Sequence, residues 1–118
     1  MGFNNRWGVG CIFCPGAMLT TNVKVGDHVV FNCQSTAGHD SVVGDFCTLS
    51  CYADLTGYAR LEDDVFLGSH ASVTPRATVG KGAVVGAGSV VLKKAGRYST
   101  VMGVPAREVW VNRPVSPP

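Results

Sequence analysis

The sequence predicts an all-β fold, a parallel β-helix of about five 18-residue coils with a short C-terminal extension. Three observations carry that expectation. Every sixth residue from Trp7 onward is apolar: Trp7, Phe13, Leu19, Val25, Phe31, Ala37, Val43, Leu49, Leu55, Leu61, Leu67, Val73, Val79, Val85 and Val91. A period of six fits neither the 3.6 of an amphipathic helix nor the simple alternation of an open strand. It fits a solenoid in which each hexapeptide is one flat side of a triangular coil and three hexapeptides close a turn. Four residues after each member stands a small or β-branched residue, from Cys11, Ala17 and Val23 through Cys47 and Ala53 to Ala83 and Ser89. The large residue fills the triangle and the small one fits beside it near the corner. Finally, the frame runs from Trp7 to Val91 without an insertion, and glycine often follows the large residue, as at Gly26, Gly44, Gly68 and Gly80. Glycine there is expected to ease a tight corner, having no Cβ to clash.

The elements follow in order. Residues 1–6 are a short lead-in and 7–92 are the solenoid. The segment 93–99, KKAGRYS, breaks the period with a basic, glycine-containing turn, and 101–106, VMGVPA, reads as a tight loop. Residues 107–112 suit a short helical turn or a strand, and the proline-rich tail 113–118 is expected to fray. All of this is one domain.

Composition bounds the function. Charged residues make up 15% of the 118, and the net charge of +2 gives no electrostatic case for nucleic acid. Apolar residues exceed what the two inward columns need, so one face is expected to be covered by another subunit. No run is long enough to span a membrane and no signal-peptide pattern opens the chain, so a cytoplasmic protein is expected. Of the five cysteines, Cys11 and Cys47 lie in the small inward column. Cys11 and Cys14 form a lone C-x-x-C without a second pair, which does not make a zinc site. Cys33 and Cys51 stand 18 apart, hence one coil apart; that spacing permits a bridge, and a cytosolic chain keeps such thiols reduced.

Residues 18 apart stack, which turns the period into a map. On the side that begins at Leu19, the third positions stack as Thr21, His39, Gly57, Pro75 and Lys93. The fourth positions stack as Asn22, Asp40, Tyr58, Arg76 and Lys94. A histidine–aspartate pair therefore lies below a glycine and an aromatic, with cations further up.

Three segments carry a resemblance: 38–50 (GHDSVVGDFCTLS), 79–91 (VGKGAVVGAGSVV) and 102–107 (MGVPAR). On them the chain resembles the hexapeptide-repeat acyltransferases, left-handed parallel β-helix enzymes that use acyl-CoA. More narrowly, it is similar to sugar acetyltransferases of the sialic-acid O-acetyltransferase and bacillosamine N-acetyltransferase type. The hand of the helix comes from that resemblance, since a period does not reveal it. The resemblance implies His39 as general base for a hydroxyl or amine nucleophile, Asp40 as the carboxylate that orients it, and Gly57 as a backbone N–H donor to the oxyanion. It also implies a homotrimer with acetyl-CoA, the acyl donor, in the groove between neighbouring subunits. Arg76, Lys93, Lys94, Arg97 and Arg107 are the candidate phosphate partners. Gly86 and Ala87, with Gly88 and Ser89, offer backbone to the pantetheine, and Gly103, Pro105 and Ala106 belong to the loop that meets the nucleotide end. The acceptor is expected to be a small molecule, a sugar or sugar nucleotide.

The chain departs from that pattern in three places. Relatives of this type carry an N-terminal α/β domain, whereas this chain starts almost at its first coil; it is expected to be a fragment or to act on a different acceptor. Thr48 stands where relatives can carry another histidine. The usual small S-P-G-A turn is Ser50, Cys51, Tyr52, Ala53. The alternative reading is a non-catalytic trimeric β-helix scaffold without an acceptor site. A zinc hydratase of the same fold would need three convergent histidines. Here His28, His39 and His70 map to three different sides at mismatched heights, so no metal is expected.

Overall fold

The computed structural model describes residues 1–111. The chain winds as a left-handed parallel β-helix with three sheets along its length and no helix among the described residues. The first sheet stacks Arg6–Trp7, Lys24–Val25, Val42–Val43, Arg60–Leu61, Thr78–Val79 and Lys94–Ala95. The second stacks Ile12–Phe13, Val30–Phe31, Thr48–Leu49, Phe66–Leu67, Val84–Val85 and Ser99–Met102, and the third stacks Met18–Leu19, Thr36–Ala37, Asp54–Leu55, Ser72–Val73 and Val90–Val91. Register confirms the 18-residue coil: Val25 pairs with Val43, Phe31 with Leu49 and Leu55 with Val73. In each two-residue strand the second residue points inward. From Leu19 to Val91 that inward series is buried throughout. At the lower end it is not: Trp7 is half exposed and Phe13 only partly buried, as are Cys11 and Ala17 in the small column. The Trp7 ring stands edge-on to Phe13 at 5.4 Å, and Phe13 stacks on Phe31 at 5.2 Å, so aromatics close that end.

The corners obey a rule that the sequence concealed. One residue in each hexapeptide takes a left-handed backbone: Asn22, His28, Gln34, Asp40, Phe46, Tyr52, Tyr58, Asp64, His70 and Arg76, with φ between 54° and 65°. Gly10, Gly16, Gly82 and Gly88 continue the series at its ends. Such φ values cost a non-glycine residue on the order of 1 kcal/mol. Each corner offsets this with a hydrogen bond from that residue's N–H to a carbonyl one coil below, as Asp40 to Thr21 at 3.0 Å and Tyr58 to His39 at 3.0 Å.

The glycines that follow the large residues serve a different purpose from the one expected. Gly26, Gly44, Gly68 and Gly80 have no left-handed φ. Coil stacking requires them instead. A Cβ on Gly68 would stand 2.7 Å from the backbone N of Ala87, and one on Gly80 would stand 2.6 Å from that of Arg97. Backbone in the next coil cannot move aside. Gly68→Val is therefore expected to lower stability by about 1–3 kcal/mol through overpacking. Urea unfolding measures this, with Gly96→Ala as a control whose Cβ would meet nothing closer than Ser99 Oγ at 3.9 Å.

The break after Val91 shortens a coil and does not end the solenoid. Thr78 pairs with Lys94 and Val84 with Thr100, sixteen residues on in place of eighteen. In the shifted frame Ala95, Ser99 and Val101 continue the inward pattern and are buried. Residues 103–106 then turn, and Arg107–Val111 returns as an antiparallel strand against Ser99–Met102. Residue 112 and the proline-rich tail lie outside the described residues.

Cys47 is buried, and burial pushes its thiol up to about 11. Cys33 and Cys51 are exposed, and all five cysteines are free thiols.

Candidate active site

The corner between the third and first sheets holds the histidine–aspartate pair. Successive residues in a strand point to opposite sides, but Asp40 sits in the left-handed corner (φ 59°) and its carboxylate swings back beside its neighbour. Asp and Asn tolerate that conformation better than most residues. His39 Nδ1 lies 3.1 Å from Asp40 Oδ2, with the histidine mostly exposed and the aspartate about one-third exposed. With its proton on Nδ1 the imidazole donates to Asp40, and Nε2 keeps its lone pair.

Gly57 lies one coil above. A Cβ there would collide with His39 Nε2, so the ring lies against the glycine's bare Cα. The Gly57 carbonyl accepts from the Arg76 N–H at 3.1 Å, while the Gly57 N–H has no acceptor among the described residues. Next along the corner, Tyr58 stands edge-on to His39, with ring centres 5.3 Å apart at 89°. The Arg76 guanidinium covers the Tyr58 ring at 4.4 Å from its centre, a cation–π contact. Column arithmetic brings His39, Asp40, Gly57, Tyr58 and Arg76 to one corner, as the structure does, and the ring contacts show Tyr58 linking the histidine to the arginine.

The other sequence-predicted donor-site residues fall into separate groups. Because the last coil is short, Lys94 lies above Thr78 in the first sheet and not above Arg76. Lys93 stays near that corner, its carbonyl accepting from the Thr78 N–H at 3.0 Å. Arg97 stands at the next corner, where its Nε donates to Glu62 Oε1 at 3.0 Å. Glu62 also accepts from the Lys81 N–H at 2.9 Å, and these two donors, the backbone one foremost, hold its carboxyl below the usual range. Gly86, Ala87 and the 103–107 segment gather at the third corner. There Gly103 N–H donates to Ser89 Oγ at 2.9 Å and Ala106 N–H to the Val90 carbonyl at 2.8 Å. One protomer therefore places the two halves of the expected donor site on opposite edges of the third sheet. His28 and His70 each stack on an aromatic, Phe46 at 5.3 Å and Tyr52 at 4.9 Å.

Two grooves flank this region. One, of about 530 Å³, is lined by Asn4, Arg6, Asn22, Lys24, Asp40, Val42 and Tyr58. The other, of about 360 Å³, includes Arg60, Glu62, Lys81 and Arg97. Reading the cations by sequence drew attention to the C-terminal coils and missed Arg6, Lys24, Arg60 and Lys81. The 18-residue spacing of Arg6, Lys24 and Arg60 with Val42 between them was the available signal.

Comparison with known proteins agrees with this architecture. The bacterial transferase hexapeptide (six repeats) family matches residues 58–93. The GDP-perosamine N-acetyltransferase of Escherichia coli O157:H7 is 35% identical over 66 residues, which are 56% of this chain and 30% of that protein. WeeI from Acinetobacter baumannii AYE superposes with a TM-score of 0.84 at 33% identity, covering 91% of this chain and 54% of WeeI. PerB from Caulobacter crescentus, solved in complex with CoA and GDP-perosamine, superposes with a TM-score of 0.78 at 26% identity, covering 88% of this chain and 53% of PerB. The chain thus spans between 30% and 54% of the length of these relatives. In its repeat and its coil geometry the chain is thus similar to the hexapeptide-repeat, left-handed β-helix acetyltransferases.

Proposed function

We propose that this chain moves an acetyl group from acetyl-CoA to a hydroxyl or amine of a small acceptor, a sugar or sugar nucleotide, with His39 as general base. One observation carries the reading: Asp40 fixes Nδ1, and Nε2 faces the free backbone of Gly57. Nε2 takes the proton of the acceptor as its oxygen or nitrogen attacks the thioester carbonyl. Asp40 holds the tautomer and steadies the imidazolium that forms. The Gly57 N–H, unused within the described residues, donates to the developing oxyanion. When the tetrahedral intermediate collapses, the CoA thiolate leaves and the imidazolium returns the proton to it.

Arg76, Lys93, Lys94 and Arg107 are the cations proposed for the phosphates of CoA, and Gly86, Ala87, Gly103, Pro105 and Ala106 the backbone proposed for its pantetheine and nucleotide ends. Arg97 would join them only by leaving Glu62. Since these groups sit on two edges of one sheet, the complete donor groove is proposed to form between subunits of a homotrimer. The outward side of the second sheet supports such contacts. Ile12 and Phe66 are exposed there, with Phe46 and Tyr52 exposed at its flanking corners. A reducing cytoplasm is the proposed setting, where the exposed thiols of Cys33 and Cys51 persist.

Calorimetric titration of acetyl-CoA and CoA, with mass by light scattering, tests this reading. Micromolar binding of one donor per protomer to a trimer is expected. A folded protein that binds neither at about 1 mM, where even a weak −4 kcal/mol site would be half filled, would overturn it.

A further inference from the structure

Two of the five cysteines belong to the small inward column and are engaged there. Cys11 Sγ donates to the Gly26 carbonyl at 3.2 Å, and Cys47 Sγ to the Glu62 carbonyl at 3.0 Å. The other three, Cys14, Cys33 and Cys51, gather on successive coils at the corner between the second and third sheets. Cys33 and Cys51 are exposed there, and Cys14 is half-buried. The proposed acetyl transfer uses none of the three.

The backbone fixes how they are arranged. Cys33 follows the strand Val30–Phe31 by two residues, Cys51 follows Thr48–Leu49 by two, and those strands pair in parallel register. The Tyr52 N–H donates to the Cys33 carbonyl at 3.1 Å, and the His70 N–H to the Cys51 carbonyl at 3.1 Å. Each cysteine precedes a left-handed corner residue, Gln34 or Tyr52, both at φ 63°. The two therefore occupy equivalent places one coil apart, about 4.8 Å, with their Cβ atoms pointing the same way. That step lies within the ~4.4–6.8 Å between Cα atoms that a disulfide spans, and a little beyond its usual Cβ separation of about 3.8 Å. Cys14 holds a different place, one residue earlier in its hexapeptide, with Sγ 3.9 Å from Asn32 Oδ1. Partial desolvation raises the Cys33 thiol above its ordinary value, and the neighbouring Cys14 and Cys51 thiols raise it further, so the three sulfurs form one cluster.

We propose that Cys33 and Cys51 form a reversible dithiol site, which a small disulfide of the glutathione class oxidises to a bridge between adjacent coils. One of the two thiols, as its thiolate, attacks a sulfur of the small disulfide; a mixed disulfide forms and one glutathione thiolate leaves. The other cysteine then loses its proton and attacks the protein-bound sulfur. The Cys33–Cys51 bond forms and the second glutathione thiolate leaves. Two electrons pass from the cysteines to the glutathione pair, and the two protons released end on the two glutathione thiols. No backbone hydrogen bond at this corner has to break, because those bonds join carbonyls and N–H groups and not the sulfurs. Drawing together Cβ atoms that start slightly too far apart leaves the bond strained, and strained, exposed disulfides are the readily reduced ones. The pair is thus open in a reducing setting. It closes as the surrounding thiol pool is oxidised, tying the coil of Phe31 to that of Leu49.

The test is mass spectrometry of the folded full chain after incubation with glutathione disulfide, followed by unfolding, alkylation and peptide mapping. The chain is expected to lose two hydrogens, to carry no glutathione, and to yield one crosslinked peptide pair joining Cys33 to Cys51. Dithiothreitol should then restore all five alkylatable thiols. Cys33→Ser is expected to stop at a lasting glutathione adduct on Cys51, since Cys14 lies two coils below it. Cys14→Ser should close as the unaltered chain does. Both substitutions are paired with a melting curve to show that the fold is kept. A bridge mapped to Cys14 and Cys33, a lasting adduct on the unaltered chain, a crosslink between two chains, or no reaction at either exposed thiol overturns the proposal. None of these readouts depends on acetyl-CoA, so the dithiol site and the transferase reading fail separately.

Discussion

Replacing His39 with alanine is expected to lower the rate of the proposed acetyl transfer by about 10²–10⁴-fold, the range of a positioned general base, and to leave the fold and any CoA binding intact. The side chain is mostly solvent-exposed and its neighbours are the Asp40 carboxylate, the edge of Tyr58 and the bare Gly57 backbone. None of these is core, so removing the ring opens no cavity; the structural cost is that of a surface change, within about 0.5 kcal/mol. The proposed base has no substitute among the described residues of that corner. Asp40 is held in the left-handed conformation with its oxygen on Nδ1, Tyr58 is covered by Arg76, and no second histidine reaches the column. Steady-state kinetics with saturating acetyl-CoA, paired with a melting curve, measures both halves of the expectation. Asp40→Asn should give a smaller loss in kcat, because the side chain keeps its shape but no longer favours the Nδ1–H tautomer or the imidazolium. Full activity in His39→Ala would end the proposed mechanism, whatever the acceptor.

The period made the fold and much of this site legible because a solenoid converts sequence distance directly into height. Once each coil has eighteen residues, His39 must lie under Gly57, and the structure places the imidazole against that glycine. The arithmetic broke where a coil changed length. Lys94 belongs over Arg76 only in an unbroken frame, and the two-residue shortening carries it to the first sheet over Thr78. That shift left a trace in the residues, since Ala95, Ser99 and Val101 repeat the large-and-small spacing in the new frame. The left-handed corners left no such trace. Asn, His, Gln, Asp, Phe, Tyr and Arg all occupy them, because inter-coil hydrogen bonding imposes the φ and leaves the side chain to meet the requirements of the surface. A single chain also does not show which copies of the corners face one another across a groove. Residues such as Gly86 and Arg76 therefore remain apart within one protomer, however clearly each can be read.

Phe31→Ala is expected to be among the most destabilising single changes in this chain, at about 3–5 kcal/mol. Phe31 is fully buried, stacks on Phe13, and shares its coil with the inward residues Ala37 and Val43. Neither neighbour can fill the space, since Ala37 is already minimal and both are anchored by strand pairing above and below. A chain of this size is stable by about 5–15 kcal/mol, so one side chain would remove a large part of the total. The coil above shows that the large-with-small arrangement is a choice, because Leu49, Leu55 and Leu61 fill the same triangle with three medium side chains. This makes the pair testable as a unit. Ala37→Leu alone should overpack against Phe31 and cost about 1–3 kcal/mol. Phe31→Leu alone should leave a gap and cost about 1 kcal/mol. Together they approximate the leucine coil, and the double variant should be more stable than the sum of the singles by about 1 kcal/mol or more. Urea unfolding at one fixed protomer concentration measures the cycle, since oligomerisation would otherwise shift the midpoints. Strict additivity would mean that the two side chains do not share one space, and that the triangular coil is packed by stacking between coils and not by volume balance within each.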